Sequence, residues 1–208
     1  MRLGILGPAQ GDLVALARGA QQLVDEGSAE KVIYVADDDA LDQVVANWAR
    51  GLVGEDPGGT GLFERAASRC ATASPDEIEE FVASERARLR LQVFVSLPKE
   101  GRTIEFLDGR VVLFVHDKAT LDEDDIAGAS ILVFGKSDKP LIKKVGARTF
   151  LSPGPVGAAA GGRAILDDAG GGVRIEMLNE AGTLFSEEIA TTAARASLKM
   201  RVQGGSTE

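Results

Sequence analysis

Three short motifs in this sequence place polar side chains directly after apolar runs, where they could take part in chemistry. His116 lies in FVHD, Asp37 lies in YVADDD, and Lys136 and Asp138 lie in FGKSDKP. Imidazole and carboxylate groups are common protein ligands of divalent cations, and two such cations about 3.5–4 Å apart can activate water for attack on phosphorus. The chain has 1 histidine in 208 residues, so a site of that kind would lack most of its imidazoles.

The composition is that of an ordinary globular protein. Hydrophobic residues make up 44% of the chain and charged residues 26%, and 208 residues are enough for one large α/β domain. The formal net charge of -9 at pH 7 opposes attraction to phosphate backbones and anionic lipids. We therefore expect neither nucleic acid nor a membrane as a partner. A lone cysteine, Cys70, and a first apolar run too short for a signal peptide favour a cytoplasmic protein.

Strand and helix patterns alternate at the start of the chain. The apolar run Leu3 to Leu6 predicts a strand, and the spacing of apolar residues from Leu13 to Val24 predicts a helix. A second strand from Val32 to Val35 precedes a second helical pattern from Leu41 to Trp48. This order predicts βαβ units and a parallel sheet. The glycine-rich stretch Gly51 to Gly61 indicates a loop.

The helix from Pro75 to Arg90 has the strongest local signals. Ser74-Pro75-Asp76-Glu77 matches an N-cap, a proline at the first helical position and a capping-box glutamate. We predict that Ile78, Phe81, Val82 and Leu89 form its buried stripe. The exposed face should carry its charges and is a candidate partner-binding surface. Those charged residues are Glu77, Glu79, Glu80, Glu85, Arg86, Arg88 and Arg90.

Short strands separated by turns dominate the chain after Pro98. The predicted strands are Thr103 to Leu107, Val111 to Val115, Ile131 to Phe134, Arg148 to Leu151, Arg163 to Leu166, Val173 to Leu178 and Thr183 to Ser186, with a turn at Asp108-Gly109. A helix-rich half and a strand-rich half predict two sheets packed on each other with helices outside. We assign residues 1-188 to this domain and residues 189-208 to a C-terminal tail that is partly disordered.

The motifs resemble, in order and spacing, those of the calcineurin-like metallophosphoesterases, and above all the small bacterial and archaeal phosphodiesterase branch. They are GPAQGD, YVADDD, FVHD, FGKSDKP and LSPGPVG. The corresponding family loops are S-D-x-H-G, G-D, H-G, G-H-T-H-x-P and N-P-G-S-V, and a G-N-x-D loop precedes H-G. The resemblance implies an α/β fold, namely a four-layer αββα sandwich of two mixed β-sheets, and a site for two metal ions.

Residue by residue, the resemblance implies a degenerate metal site. Pro8 stands where the family has a metal-binding aspartate, and Gln10 stands where it has a histidine. Asp37 falls on the aspartate that bridges both metals, and His116 falls on a metal-binding histidine. Proline has no ligand atom, so at least one ligand of the family site is absent.

Two further loops carry replacements. Lys136 and Asp138 replace the two histidines of the G-H-T-H loop, and Glu55 is the candidate for the asparagine of G-N-x-D. An ammonium group only donates hydrogen bonds, so Lys136 would repel a metal ion and could neutralise Asp37 in its place. We expect the Lys136 ammonium within hydrogen-bonding distance of Asp37 or Asp138. The set Asp37, Glu55, His116 and Asp138 could hold at most one weakly bound Mg²⁺ or Mn²⁺, and no other cofactor is expected.

These losses favour a catalytically inactive protein that binds a protein partner, as a scaffold or regulator. The retromer subunit of the same fold, with its crippled metal site and scaffold role, is a precedent within the resemblance. Two other functions stay open: a weak or atypical metal-dependent phosphodiesterase or phosphatase, and a phosphate or nucleotide sensor in which Lys136 binds the anion. Without the resemblance, His116 would be a hydrogen-bonded loop histidine and Asp37-Asp38-Asp39 an acidic helix cap.

Overall fold

The computed structural model describes residues 1–168 and 170–190, and in this part of the chain two β-sheets pack face to face between helices. The first half contains β1 (Arg2–Leu6), α1 (Leu13–Asp25), β2 (Lys31–Tyr34), α2 (Ala40–Val53), α3 (Gly61–Cys70), α4 (Pro75–Arg90), β3 (Phe94–Ser96) and β4 (Arg102–Leu107). The second half contains β5 (Arg110–Val115), α5 (Glu123–Gly128), β6 (Ile131–Phe134), β7 (Leu141–Val145), β8 (Arg148–Ser152), β9 (Arg163–Asp168), β10 (Val173–Leu178) and β11 (Leu184–Ala190).

Both sheets are mixed. Within the described residues, sheet I has the order β11-β10-β9-β1-β2-β3, in which β1, β2 and β3 are parallel and the other pairings are antiparallel. Sheet II has the order β4-β5-β6-β8-β7, in which β5, β6 and β8 are parallel. The parallel strands of sheet I are joined through helices, as the βαβ pattern of the sequence predicts, and α5 joins β5 to β6; β6 and β8 are instead joined through the edge strand β7.

The main core lies between the two sheets. Alternate residues such as Leu3 and Ile5 of β1 point toward sheet II and pack in one cluster with Phe114 and Val133. The other face of sheet I packs on helices, where Leu6 joins a cluster with apolar residues of α1 and α2. Because the central strands are covered on both faces, they are continuous apolar runs in the sequence.

A smaller cluster covers the outer face of sheet II. Leu113 and Leu132 pack there with Ile126 of α5. The layers are therefore helix, sheet I, sheet II and helix, which confirms the predicted four-layer αββα sandwich. No helix in the described part of the chain is long and apolar enough to cross a membrane.

The helix α4 begins and ends at the predicted residues but buries a different set of side chains. The Ser74 hydroxyl accepts a hydrogen bond from the Glu77 amide and the Glu77 carboxylate accepts one from the Ser74 amide, which confirms the capping box. Of the predicted apolar stripe, only Phe81 is buried; the correction is that Ile78, Val82 and Leu89 are exposed, because α2 and α3 cover only one side of α4.

A second correction concerns the charges of α4. Glu85 and Arg88 were expected on the exposed face with the other charged residues. Glu85 is instead buried, and its carboxylate accepts hydrogen bonds from Arg65 of α3 at 2.7 Å and from Arg88 at 2.7 Å. The hydrogen bond from Arg65 is the main cause that lowers the pKa of the Glu85 carboxyl. This network attaches α3 to α4.

Several elements differ from the sequence prediction. The stretch predicted as one loop, Gly51 to Gly61, contains the end of α2 and the first residue of α3. The strands β3 and β7 and the helices α3 and α5 had no predicted counterpart. The strand β11 continues to Ala190, and the rest of the predicted tail, 191–208, lies outside the described residues.

Candidate functional site

The loops after β1, β2, β5, β6 and β8 meet at one end of the two sheets, where the backbones of the two sheets come into close contact. A Cβ atom on Gly7 would lie 1.7 Å from the carbonyl oxygen of Gly154, and one on Gly135 would lie 1.6 Å from that of Val35. Only glycine fits at these two positions. We call this region the strand-end edge, and it contains all five motifs that carry the sequence resemblance.

The loop after β1 is held by backbone hydrogen bonds. The Pro8 carbonyl accepts a hydrogen bond from the Val156 amide at 3.0 Å, and the Ala9 amide donates to the Tyr34 hydroxyl at 3.0 Å. Gln10 is exposed and has a φ of 51°, in the left-handed region. Pro8 lies at the strand-end edge without offering a ligand atom.

The hydroxyl of Tyr34 connects the first two loops, and the sequence analysis did not identify it. Besides accepting from Ala9, it donates to the Asp38 carboxylate at 2.8 Å, and the same carboxylate oxygen accepts from the Ala40 amide at 3.0 Å. Burial is the main cause that raises the pKa of Tyr34 above its ordinary value. The signal in the sequence was a lone tyrosine within an apolar strand, because a buried hydroxyl needs partners. Asp38 thus serves the first turn of α2, as predicted for a helix cap.

Asp37 is exposed beside this network. Its carboxylate accepts a hydrogen bond of 3.3 Å from the Glu100 amide, in the turn before β4. This contact ties the loop after β2 to the chain that enters sheet II.

His116 lies half-buried between the two sheets. Its Nδ1 atom is 3.3 Å from the carbonyl oxygen of Val35, and the tautomer with the proton on Nδ1 would donate a hydrogen bond to that oxygen. The backbone carbonyl of His116 accepts hydrogen bonds from the amides of Gly135 at 3.0 Å and Lys136 at 2.8 Å. A histidine whose Nδ1 is fixed by a carbonyl has Nε2 available as an acceptor, which is the usual arrangement of a metal-binding histidine.

Lys136 pairs with a residue that the sequence analysis did not name. Its Nζ atom donates to the Asp117 carboxylate at 2.5 Å. This hydrogen bond is the main cause that lowers the pKa of the Asp117 carboxyl, with the Ala119 amide as the next cause. The expected pairing with Asp37 or Asp138 is therefore corrected: Asp117 follows His116 directly, so the loop after β5 carries an acid closer to Lys136.

The four proposed metal ligands are not gathered into one group. Asp37, His116 and Asp138 lie in loops of the strand-end edge, and Asp138 is exposed. Glu55 follows α2, a helix of 14 residues that is about 21 Å long and starts at the strand-end edge, so Glu55 lies at the opposite end. Within residues 1–168 and 170–190, no three His, Cys, Asp or Glu side chains form a group that could hold a metal ion.

The residues present at this edge do not fit a pair of catalytic metals. The loops offer a single imidazole, that of His116, and Pro8 offers no ligand atom. The ammonium group of Lys136 only donates hydrogen bonds, and its ion pair occupies the Asp117 carboxylate. These side chains therefore lack the ligands that two catalytic metal ions need.

A separate concave region lies on the helical side of sheet I. A cavity of about 520 Å³ is lined by apolar side chains of α1, α2 and the segment between α4 and β3, among them Val24, Leu52 and Leu91. Trp48 and Phe94 also line it, with ring centroids 5.4 Å apart. The cavity shares no residue with the strand-end edge, so it is separate from the motifs.

Comparison with known proteins identifies the fold. No family model and no curated protein matches the sequence. The phosphoesterase YfcE from E. coli is similar in structure, with 14% sequence identity, a TM-score of 0.50, and coverage of 92% of this chain and 100% of YfcE. An archaeal phosphodiesterase has 13% identity, a TM-score of 0.49 and coverage of 91% and 99%; Vps29 from Chaetomium thermophilum has 10% identity, a TM-score of 0.49 and coverage of 92% and 97%. The likeness to YfcE shows the fold alone, which is the metallophosphoesterase fold.

Proposed function

We propose that this protein is a catalytically inactive member of its fold class and acts by binding a protein partner. The observation that carries this proposal is the ion pair between Lys136 and Asp117 at the strand-end edge. An ammonium group stands there in a loop whose family counterpart supplies histidines. A cation entering the edge would find few ligands, because Lys136 offers none and already occupies the Asp117 carboxylate.

Two neighbouring residues support the same conclusion. Pro8 has no ligand atom, and its loop is fixed through the hydrogen bond from Val156 and through Tyr34. His116 keeps the orientation of a metal-binding histidine but has no second imidazole beside it. The strand-end edge thus retains the architecture of the fold and lacks its metal chemistry.

The exposed side of α4 supports the partner-binding half of the proposal. This helix exposes the apolar side chains of Ile78, Val82 and Leu89. Exposed charged residues of the same helix lie beside them. Exposed apolar residues that share one face are typical of protein–protein contacts. Binding a partner through α4 needs no metal ion, so this function is compatible with the few metal ligands at the strand-end edge.

Metal analysis of the purified protein, together with a hydrolysis assay on bis-p-nitrophenyl phosphate with added Mn²⁺, tests the proposal. We expect no stoichiometric transition metal and no hydrolysis above that of a His116→Ala variant, which serves as the matched control. Two metal ions per chain, or hydrolysis that the His116→Ala change removes, would show an active phosphodiesterase instead.

The same protein can be tested as an anion sensor. Titration with inorganic phosphate should give no binding heat that depends on Lys136, because Asp117 already neutralises its ammonium group. Phosphate binding that is lost in Lys136→Met would support the anion sensor as the function of the strand-end edge.

A further inference from the structure

The exposed apolar residues of α4 form a stripe with coiled-coil spacing. Ile78, Val82 and Leu89 are 37%, 37% and 46% exposed. Separated by four and seven residues, they lie within about 40° of one another on a helix of 3.6 residues per turn. Glu85 occupies the remaining position of the heptad pattern, and it is buried against Arg65 and Arg88. The three apolar residues therefore share one exposed face of α4, and the ion pairs of Glu85 border this face.

Charged residues flank this stripe on its open side. Glu79, Arg86 and Arg90 are exposed and lie within about 40° of one another, next to the stripe. In the part of the chain that the structure describes, none of these three forms an ion pair. The acidic residue stands in the first half of α4 and the two basic residues stand in the second half.

We propose that a second copy of this chain docks on α4, with the two helices antiparallel about a two-fold axis between Ala83 and Ser84. This assignment rests on the proposed function and names its partner. In this arrangement Ile78 packs beside Leu89 of the second copy. A two-fold contact repeats every interaction twice, so one stripe is enough to build the interface.

Charge complementarity selects the antiparallel arrangement. With this axis, Glu79 lies opposite position 88 of the second copy, midway between its Arg86 and Arg90. The two-fold symmetry forms the same contact a second time, with the copies exchanged. A parallel pair would place the flank with Glu79, Arg86 and Arg90 on opposite sides of the interface in the two copies, so these charges would not meet. Only the antiparallel pair brings the opposite charges of this flank together, so the order of charges along α4 favours a second copy in the antiparallel direction.

Analytical ultracentrifugation of the full chain tests this proposal through charge reversal. We expect the wild type to be a dimer. Glu79→Arg and the double change Arg86→Glu with Arg90→Glu should each raise the dimer dissociation constant at least about tenfold, because every inter-copy pair becomes repulsive. Glu80→Arg is the matched control: Glu80 lies on the opposite side of α4, so the same charge change should leave the dimer intact.

Mixing the two reversed variants gives the sharper test. The Glu79→Arg chain is basic along the flank and the Arg86→Glu, Arg90→Glu chain is acidic, so an equimolar mixture should form a heterodimer. A monomeric wild type, an unaffected Glu79→Arg dimer, or absence of the heterodimer while circular dichroism shows both chains folded would overturn the proposal. Metal content and hydrolysis, measured on the same samples, decide the proposed function independently, because neither depends on the association state.

Discussion

Lys136 and Asp117 connect the loops after β6 and β5 through a hydrogen bond of 2.5 Å between Nζ and the carboxylate. The pair lies next to His116, whose backbone carbonyl accepts hydrogen bonds from Gly135 and Lys136 in the loop after β6. The Lys136 side chain is 65% exposed, so the pair is screened by solvent and contributes little to stability. Its importance is that the Asp117 carboxylate is paired with Lys136 and not free to bind a cation at the strand-end edge.

The substitution Lys136→Met should raise the pKa of Asp117 toward its ordinary value, because the main hydrogen bond to that carboxylate is removed. A lowered carboxyl pKa stabilises the folded protein above pH about 4 and loses that effect as the pH falls through the folded value. The small stability difference between the two proteins should therefore disappear in acid. Carboxyl NMR titration measures the pKa, with Lys139→Met as the control; an unchanged Asp117 titration in Lys136→Met would contradict the pairing.

The hydroxyl of Tyr34 should be protonated throughout the stability range of the protein. Burial raises its pKa, so folding is favoured below pH about 10 and loses stability as the pH rises beyond that. The chain has 1 tyrosine, so tyrosinate absorbance reports on this residue alone. We expect it to appear together with alkaline unfolding. Ionisation of the folded protein near pH 10 would show that the hydroxyl is accessible.

The same residue allows a stability test. Tyr34→Phe should lower the free energy of unfolding by about 1–3 kcal/mol, because the Ala9 amide loses its acceptor and Asp38 loses a donor. Glu64→Ala changes an exposed acid of α3 away from this network and should have a much smaller effect. Urea denaturation of the three proteins measures the difference, and equal losses in both variants would exclude the special role of the hydroxyl.

We expect Glu85 to stabilise the packing of α3 against α4. Its carboxylate is 6% exposed and bridges Arg65 and Arg88, so Glu85→Ala leaves two guanidinium groups side by side. We expect the free energy of unfolding to fall by about 3 kcal/mol, with faster amide hydrogen exchange in α3. Glu80→Ala, an exposed acid of the same helix, is the control. Exchange in α3 that matches this control would mean that the network does not hold the helix.

The sequence predicts the central elements because strong local signals agree with the tertiary structure there. Continuous apolar runs mark β1 and β2, and the capping box marks the start of α4. The Asp108-Gly109 turn is also confirmed, since both residues have positive φ, at 47° and 68°, as a two-residue hairpin turn requires.

The sequence does not predict several peripheral elements, because their apolar patterns and capping signals are weak. The edge strand β7 contains two adjacent lysines, and β3 has only 3 residues, so each is defined by its pairing with a neighbouring strand. The helix α3 buries only Gly61 and is attached through Arg65. Contacts across the tertiary structure determine these elements.

The sequence predicts where the candidate site lies, but it predicts only some of the contacts between its side chains. Motif order places His116 and Lys136 in neighbouring loops, and the structure confirms that their backbones are hydrogen-bonded. Sequence spacing cannot rank the acids around Lys136, because all of them follow strands that end at one edge. Asp117 is the partner because its loop is adjacent to that of Lys136 in sheet II.

Restoring the missing ligands should restore metal binding. The quadruple variant carries Pro8→Asp, Gln10→His, Lys136→His and Asp138→His. The Nδ1 atom of His116 already lies 3.3 Å from the carbonyl oxygen of Val35, and histidine tolerates the left-handed backbone conformation at position 10. Removing Lys136 also removes the positive charge and frees Asp117. Calorimetry with Mn²⁺ should show tight binding by the quadruple variant and little by the wild type.

The controls decide how such binding is interpreted. A further His116→Ala change in the quadruple variant should abolish the Mn²⁺ signal, because that imidazole is the one retained from the family pattern. Recovery of hydrolysis should be weaker than recovery of binding, since groups that orient the ligands are worth a factor of about 10–100 in affinity and were not rebuilt. Tight Mn²⁺ binding by the wild type would contradict the proposed loss of the site. If the quadruple variant folds and binds no metal, the alignment of Pro8 and Gln10 with the family loop is incorrect.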